Sequence, residues 1–399
     1  MQLSSEEIQI LNNINEQRVI DMLGDLIRMP SQNPPGEERK IAEYCAQQCR
    51  GIGMDTKLLA REEGRNTVIA TLSGTHDRPV LLYHAHLDTV PVGDRSRWKF
   101  DPFEGHIKDE RIYGRGACDT KNNIAAMIQV AEALVRSRVS LTGKLVLCFA
   151  ADEETGGLLG TEYILNQGYL KDIDMVVAGE QTELRVGIAE KGMATFSIRT
   201  KGASAHASQV AEKGINAISK MGKILCAIDK EYQPVLKQKN HRLLGVPTCN
   251  AGVIEGGTKS NMVAEYCCLQ LDCRFLPGES AEDIHQQIER VIERLRQEDP
   301  QLEATVEPVR DAVPFEIKEE TPLVKELRKA IQKVKGVDLG VTGYYPVSDG
   351  RFFACRNIPT VVFGSGSSLQ AHTTDEYVEI DQVIDSARIL ALLASSVVC

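Results

Sequence analysis

The sequence predicts an α/β fold in two parts, a mixed-sheet domain and an α+β unit inserted into it, on three observations. Apolar runs of strand length at residues 80–84, 144–151 and 174–178 are separated by helical patterns, an alternation that builds a sheet covered by helices. From about Arg185 this texture gives way to a β-α-β-β-α-β order, that of a ferredoxin-like unit with an antiparallel sheet. After the loop at residues 311–320 the first texture resumes, so the middle stretch reads as an insertion. A chain of 399 residues is also too long for one ordinary core. The boundaries expected are 1–184 and 311–399 for the first domain and 185–310 for the insertion.

Taken in order, Ser4 and Glu7 make a capping-box opening, and Ile8, Ile10, Leu11 and Ile14 continue at helical spacing. Residues 18–29 repeat the helical pattern until Pro30, Pro34 and Pro35 exclude helix. A helix over 37–51 follows, then strands at 56–59, 66–72 and 80–84. Residues 94–116 read as a loop holding Trp98, Phe100 and Phe103 and ending in Gly114-Arg115-Gly116, where glycine allows close backbone approach. Asp119 opens a long amphipathic helix to about Arg136 and is an N-cap candidate. A strand over 144–151, a helix over 158–167 and a strand over 174–178 complete the first part. The insertion is expected to hold a strand pair at 186–201, a helix at 216–230, strands at 249–255 and 265–275, a helix at 284–296 and a strand at 303–308. The return comprises a helix at 322–334, a helical turn at 350–355, a strand at 360–363 and a C-terminal helix at 382–394. There is no internal repeat or low-complexity segment.

Hydrophobic and charged contents of 42% and 26% are those of a globular protein. A net charge of −10 argues against nucleic acid or an anionic membrane surface as main partner, because both select basic patches. The eleven cysteines, an odd number with no C-x-x-C pair, form no recognisable disulfide or zinc framework and read as thiols in a reducing compartment. With no apolar run near ~18 residues and no secretory n-region, a cytoplasmic enzyme acting on a small molecule is expected.

Chemistry gathers at the predicted strand ends, as it does in α/β sheets. The first strand runs into His84-Ala85-His86-Leu87-Asp88, and His86-x-Asp88 is a spacing at which a carboxylate can take the other ring N–H of a metal-bound imidazole. A histidine satisfied by hydrogen bonds at a strand end is the structural alternative. Strand 144–151 ends on Asp152-Glu153-Glu154, three acids that repel unless a cation compensates them or the turn is solvated and caps the next helix. Strand 174–178 ends on Gly179-Glu180, and Ala371-His372 precedes the last helix. Two histidines with three or four carboxylates suit a pair of borderline divalent cations, most simply zinc, and neighbouring Glu153 and Glu154 can divide into a base and a ligand.

These motifs, with Gly114-Arg115-Gly116, Asp119, Gly156-Gly157 and Thr182, resemble the five signature motifs of the M20 metallopeptidase and deacylase family across essentially the whole chain. The resemblance implies a zinc-peptidase-type mixed-sheet catalytic domain with an inserted ferredoxin-like lid that dimerises. It implies two Zn2+ per chain, with Co2+ or Mn2+ as substitutes. His86 and Glu180 would hold one ion, Glu154 and His372 the other, and Asp119 would bridge them. Asp88 would orient His86, and Glu153 would be the base that activates water. The lid histidine matches His206 in Gly202-Ala203-Ser204-Ala205-His206, which could stabilise an oxyanion and reach the partner's site in a homodimer.

Asn261 and Arg274 match lid segments that hold substrate, Arg274 being suited to a carboxylate. Gly364-Ser365-Gly366 could present amides as an anion nest, and Lys191 is a further candidate for that role, with a solvated surface lysine the alternative. A structural pair of Arg274 with Asp272 is not expected. His84 is expected in packing, and His76, His106, His241 and His285 in solvent. The activity implied is hydrolysis of the amide of a small N-acylated amino acid. Acetylornithine deacetylase-like deacylation comes first, succinyl-diaminopimelate desuccinylation second and dipeptidase or carboxypeptidase action third. Ser348-Asp349-Gly350-Arg351 resembles the desuccinylase branch, Gln370-Ala371-His372 with Asp375-Glu376-Tyr377 the deacetylase branch. A non-catalytic binding protein on the same fold is the rival, and the complete set of acids and histidines argues against it.

Overall fold

The computed structural model describes residues 2–209 and 213–399. Its first compact unit runs to Ile188 and resumes over Ile317–Thr342 and Ser348–Cys399; the second comprises Ala189–Glu316 and Gly343–Val347.

The first unit opens with α1 (Ser5–Leu11), where the Ser4 hydroxyl accepts from the Glu7 N–H and the Glu7 carboxylate takes the Ser4 N–H, the reciprocal cap the sequence announces. Helices α2 (Glu16–Ile27) and α3 (Arg39–Ile52) follow, then strands β1 (Asp55–Ala60), β2 (Asn66–Ser73) and β3 (Val80–His86). Residues expected as loop contain two short strands, β4 (His106–Lys108) and β5 (Arg111–Tyr113). Next come α4 (Lys121–Ser137), β6 (Lys144–Ala150), α5 (Thr161–Asn166), β7 (Met175–Ala178) and β8 (Val186–Glu190). The acidic residues expected to precede a helix at 158 instead form a one-turn 3-10 segment, Glu153–Thr155, before α5.

The strand order is β1-β2-β6-β3-β7, with β6, β3 and β7 mutually parallel. Because side chains alternate along β3, Tyr83 points to one face, where its hydroxyl donates to the Leu390 carbonyl at 2.6 Å. Leu82 points to the other face, in a core with Val146, Ile164, Val176 and Phe353. Every residue of β3 is buried, as a parallel strand covered on both faces requires.

The second unit holds β9 (Gly192–Lys201), α6 (Ala217–Ala227), β10 (Thr248–Gly256), β11 (Tyr266–Phe275), α7 (Ala281–Glu298), β12 (Glu303–Ala312) and β13 (Phe315–Glu316). Its four-stranded sheet is antiparallel throughout, ordered β10-β11-β9-β12, which is the ferredoxin-like arrangement. Phe196, Ile198, Leu269 and Leu271 from the sheet meet Ile224 and Ile288 from the helices in one apolar core. Helix α7 starts three residues before its expected position because Ser280 and Asp283 form a second capping box.

The chain continues through α8 (Pro322–Lys335), β14 (Val341–Tyr344), α9 (Gly350–Ala354), β15 (Thr360–Val362), β16 (Tyr377–Glu379) and α10 (Ile380–Val398). Strand β15 lies parallel to β7, so β6, β3, β7 and β15 all run in one direction and end on one edge of the sheet. Strand β16 pairs with β5, and β5 with β4, in a separate three-stranded sheet. No described helix is long and apolar enough to cross a membrane.

Candidate metal centre

The shared direction of four strands places their C-terminal ends together. His86 closes β3, the 152–154 acids follow β6, Glu180 follows β7, and the segment after β15 leads to His372. Asp119 arrives separately, just before α4. It does not cap that helix, since Thr120 occupies the cap position and no side-chain cap bond is made. Its carboxylate instead stands between two imidazoles. Oδ1 lies 2.9 Å from His86 Nε2, and Oδ2 lies 3.2 Å from His372 Nε2.

Two groups with suitable ligand atoms result, His86, Asp119 and Glu180 in one and Asp119, Glu154 and His372 in the other, the atoms within each lying within 4.8 Å of one another. Glu180 Oε1 is 3.9 Å from His86 Nε2, and Glu154 Oε2 is 3.2 Å from His372 Nε2. The first group is enclosed and the second is more open, for the His86 side chain is 1% exposed and that of His372 53%. Among the described residues, Asp119 and Glu154 pair with no lysine or arginine.

The electrostatics are those of crowded acids. Burial works to raise the Asp119 carboxyl, but hydrogen bonds from His372 and His86 outweigh it and hold it below the ordinary range. Burial would likewise depress His86, yet the Asp119 carboxylate lifts it well above the usual imidazole value. His372 is raised to about 10 by hydrogen bonds to Asp119 and Glu154. Burial pushes Glu153 well up, with Asp349, Glu180 and Glu154 adding to the effect. Imidazole with carboxylate, set in threes around a common acid, is a donor set that fits borderline divalent cations.

Asp88 does something different from what its spacing suggests. His86 Nδ1 lies 2.9 Å from the main-chain carbonyl of Asp88, while the carboxylate Oδ1 is 3.7 Å away. The carboxylate accepts the backbone N–H groups of Glu153 and Glu154, both at 3.1 Å, and the Asn33 amide at 2.8 Å. It therefore holds the turn that bears both glutamates. Burial raises this carboxyl to about 7.

Other expected residues are placed as follows. His84 is buried in packing, 2.8 Å from the Thr161 hydroxyl and edge-on to Phe353. Gly364, Ser365 and Gly366 do not form an open nest, because the Gly364 N–H is taken by the Thr182 hydroxyl at 3.2 Å and the Gly366 N–H by Gln382 at 3.0 Å. In the second unit His206 is exposed, its Nδ1 2.8 Å from the Ser208 hydroxyl. Asn261 adjoins it, since the Ala207 N–H donates to the Asn261 carbonyl at 3.0 Å. Contrary to expectation, Arg274 is engaged by Asp272 through two hydrogen bonds, at 2.7 and 3.2 Å; the two residues share one face of β11 and reach each other without strain.

Lys191 is not a solvated lysine either, for it is 5% exposed and donates to the Val246 carbonyl at 2.6 Å. His106 stacks on Phe100 and His285 on Phe196, so neither stands free in solvent. The sequence reading missed Lys121, whose buried ammonium donates to the Met29 carbonyl at 2.9 Å. It also assigned no site role to the Arg115–Glu376 pair, both of whose residues are buried beside Asp119.

A model of the family described as peptidase family M20/M25/M40 matches residues 82–396. The chain belongs to that family. As an M20 protein it is a hydrolase of amide bonds of the metallopeptidase and amidohydrolase type. It is 26% identical to N-formyl-4-amino-5-aminomethyl-2-methylpyrimidine deformylase of Halalkalibacterium halodurans, an alignment covering 96% of this chain and 95% of the relative. It is 30% identical to acetylornithine deacetylase of Klebsiella pneumoniae, with 83% of each covered. The M20 family metallo-carboxypeptidase of Sulfolobus solfataricus shares the fold, with a TM-score of 0.79 at 19% identity over 94% of this chain and 98% of that one.

Proposed function

We propose that this chain is a two-metal deacylase that hydrolyses the amide of a small N-acylated amino acid, with acetylornithine-type deacetylation its most direct reading. The observation behind the proposal is the Asp119 carboxylate, whose two oxygens each face a different imidazole and join two ligand groups into one centre. In this reading His86 and Glu180 would hold one ion and Glu154 and His372 the other, with Asp119 common to the two groups. Zinc suits the mixed imidazole and carboxylate set, and Co2+ or Mn2+ would substitute. When bound, the ions would supply a water acidic enough to react near neutral pH and would polarise the acyl carbonyl.

The chain's own residues supply the remaining steps. Glu153, beside the ligands and pushed toward a higher pKa by burial, takes the water's proton and passes it to the leaving nitrogen. Asp88 fixes the turn that presents Glu153. His206 of the second unit donates to the developing oxyanion, Asn261 and Arg274 bind the substrate's polar end, and the second unit dimerises. A cytoplasmic biosynthetic enzyme is consistent with the thiol-rich, acidic composition.

A screen of the metal-loaded protein against N-acetyl, N-formyl and N-succinyl amino acids and dipeptides tests the substrate. Preference for N-acetyl amino acids is expected, and preference for a dipeptide would replace this reading. Glu153→Gln is expected to lower turnover by about 10²–10⁴-fold with metal content unchanged. Near-full turnover in that variant would refute the role of Glu153.

A further inference from the structure

A second buried carboxylate stands to Asp119 as Asp88 stands to Glu153 and Glu154. Glu376 is fully buried. Its Oε1 accepts the backbone N–H groups of Cys118, at 2.8 Å, and Asp119, at 3.0 Å. Its Oε2 accepts from the Arg115 guanidinium at 2.6 Å. Arg115 is itself buried, with its guanidinium 5.2 Å from the centre of the Trp98 ring. Strand pairing delivers the residue to this place: Tyr377 pairs with Tyr113, and the Gly114 N–H donates to the Glu376 carbonyl at 2.9 Å.

A buried ion pair of this kind contributes little net stability compared with apolar residues of the same shape. What it does supply is direction. A charged acceptor aimed at two successive amides fixes the peptide plane from which the Asp119 side chain leaves, and that side chain reaches both His86 and His372. Glu376 also lies four residues after His372, so one segment presents a ligand of the second group and grips the acid common to both.

We infer that Glu376, with Arg115 holding its second oxygen, is a positioning residue that sets the Asp119 carboxylate for both metal ions; the inference rests on the two-metal reading above. Neither residue belongs to either ligand group. The effect passes through the main chain of Asp119, so loss of Glu376 weakens both sites together, whereas a change at His372 weakens one.

Titration of the metal-free full-length protein with Co2+, followed by visible absorption and calorimetry, tests this in the wild type, E376Q and R115Q. In E376Q both ions are expected to bind about 10–100-fold more weakly, with an altered visible spectrum. R115Q, which leaves the two main-chain bonds in place, is expected to show a smaller loss of the same kind. A merely structural role would lower the melting temperature of the metal-free variants while leaving both affinities and the spectrum at wild-type values, and that result overturns the inference. Should E376Q not fold, wild-type affinity and spectrum in R115Q overturn it equally. Wild-type protein that takes up no Co2+ rejects the metal centre and the inference together. Two ions in the wild type and in E376Q with equal affinity reject the inference alone.

Discussion

Helices α4 and α7 are nearly equal in length, 17 and 18 residues, but they are buried in opposite ways. Helix α7 hides Ile284, Ile288, Ile292 and Leu295, a single apolar stripe, and leaves its other faces in water. Helix α4 is buried almost all round, and what it hides includes Lys121, Asn122 and Asn123 in its first turn. Their nitrogen donors are engaged, although the amide oxygens of Asn122 and Asn123 are buried without a hydrogen-bond partner. Lys121 donates to the Met29 carbonyl, Asn122 to Ser365 and Asn123 to the Thr120 hydroxyl, all between 2.7 and 3.0 Å. Buried polarity is costly unless satisfied, and it is concentrated where the chain turns at Asp119. Stability and chemistry are thus placed apart: the second unit rests on an apolar stripe, and the first carries a polar interior beside its candidate centre.

Substitutions in the two helices' surroundings should separate stability from metal binding. Ile288→Ala, in the stripe of α7, is expected to destabilise by about 2–5 kcal/mol through a core cavity, while Co2+ affinity below the melting temperature stays at the wild-type value. Denaturant unfolding and metal titration read the two quantities separately, and a matching fall in metal affinity would show that the division is false. Asp88→Asn lies on the polar side. It keeps the shape but replaces one of the two oxygens that hold the 153 and 154 amides, so metal affinity or turnover is expected to fall about 10–100-fold with unchanged circular dichroism. A plain loss of stability with native metal affinity would return Asp88 to a structural role.

The smallest effect is expected at Asp299, in the second unit. Hydrogen bonds from Lys220 and Lys223 lower its pKa to about 2. Its folded pKa lies below the ordinary unfolded value of about 4, so its contribution is present above pH 4 and lost as pH falls toward 2. Asp299→Asn should cost a few tenths to about 1 kcal/mol at neutral pH and distinctly less near pH 2, as measured by urea unfolding at the two values.

Much of this was legible before any coordinates, for physical reasons that particular residues show. The run from Val80 to Tyr83 is apolar on both faces, as only a covered strand can be, and the acids and histidines that end the strands have few other uses in a core. Two of the features the sequence hid share one cause, that a side chain can act on backbone rather than on side chains. The spacing of His86 and Asp88 suggests a carboxylate on an imidazole, but the Asp88 carboxylate faces two amides, which leave no trace in residue identity. Glu376 escaped for the same reason. Strands β4, β5 and β16 are three residues each, too short for any periodicity to register. The Gly364–Gly366 stretch looked like an anion nest because glycine composition cannot tell whether the amides are already bonded.

Chain order makes the two halves of the candidate centre unequal. His86, Asp119 and Glu180 all precede the second unit in sequence, so one ligand group is complete in the early part of the chain. The other waits for His372, close to the C-terminus and held through the short strand β16. The donors of one group are thus all present long before those of the other, but a truncation before residue 372 would also remove Glu376, whose carboxylate accepts the Cys118 and Asp119 amides, and would disturb the early group as well.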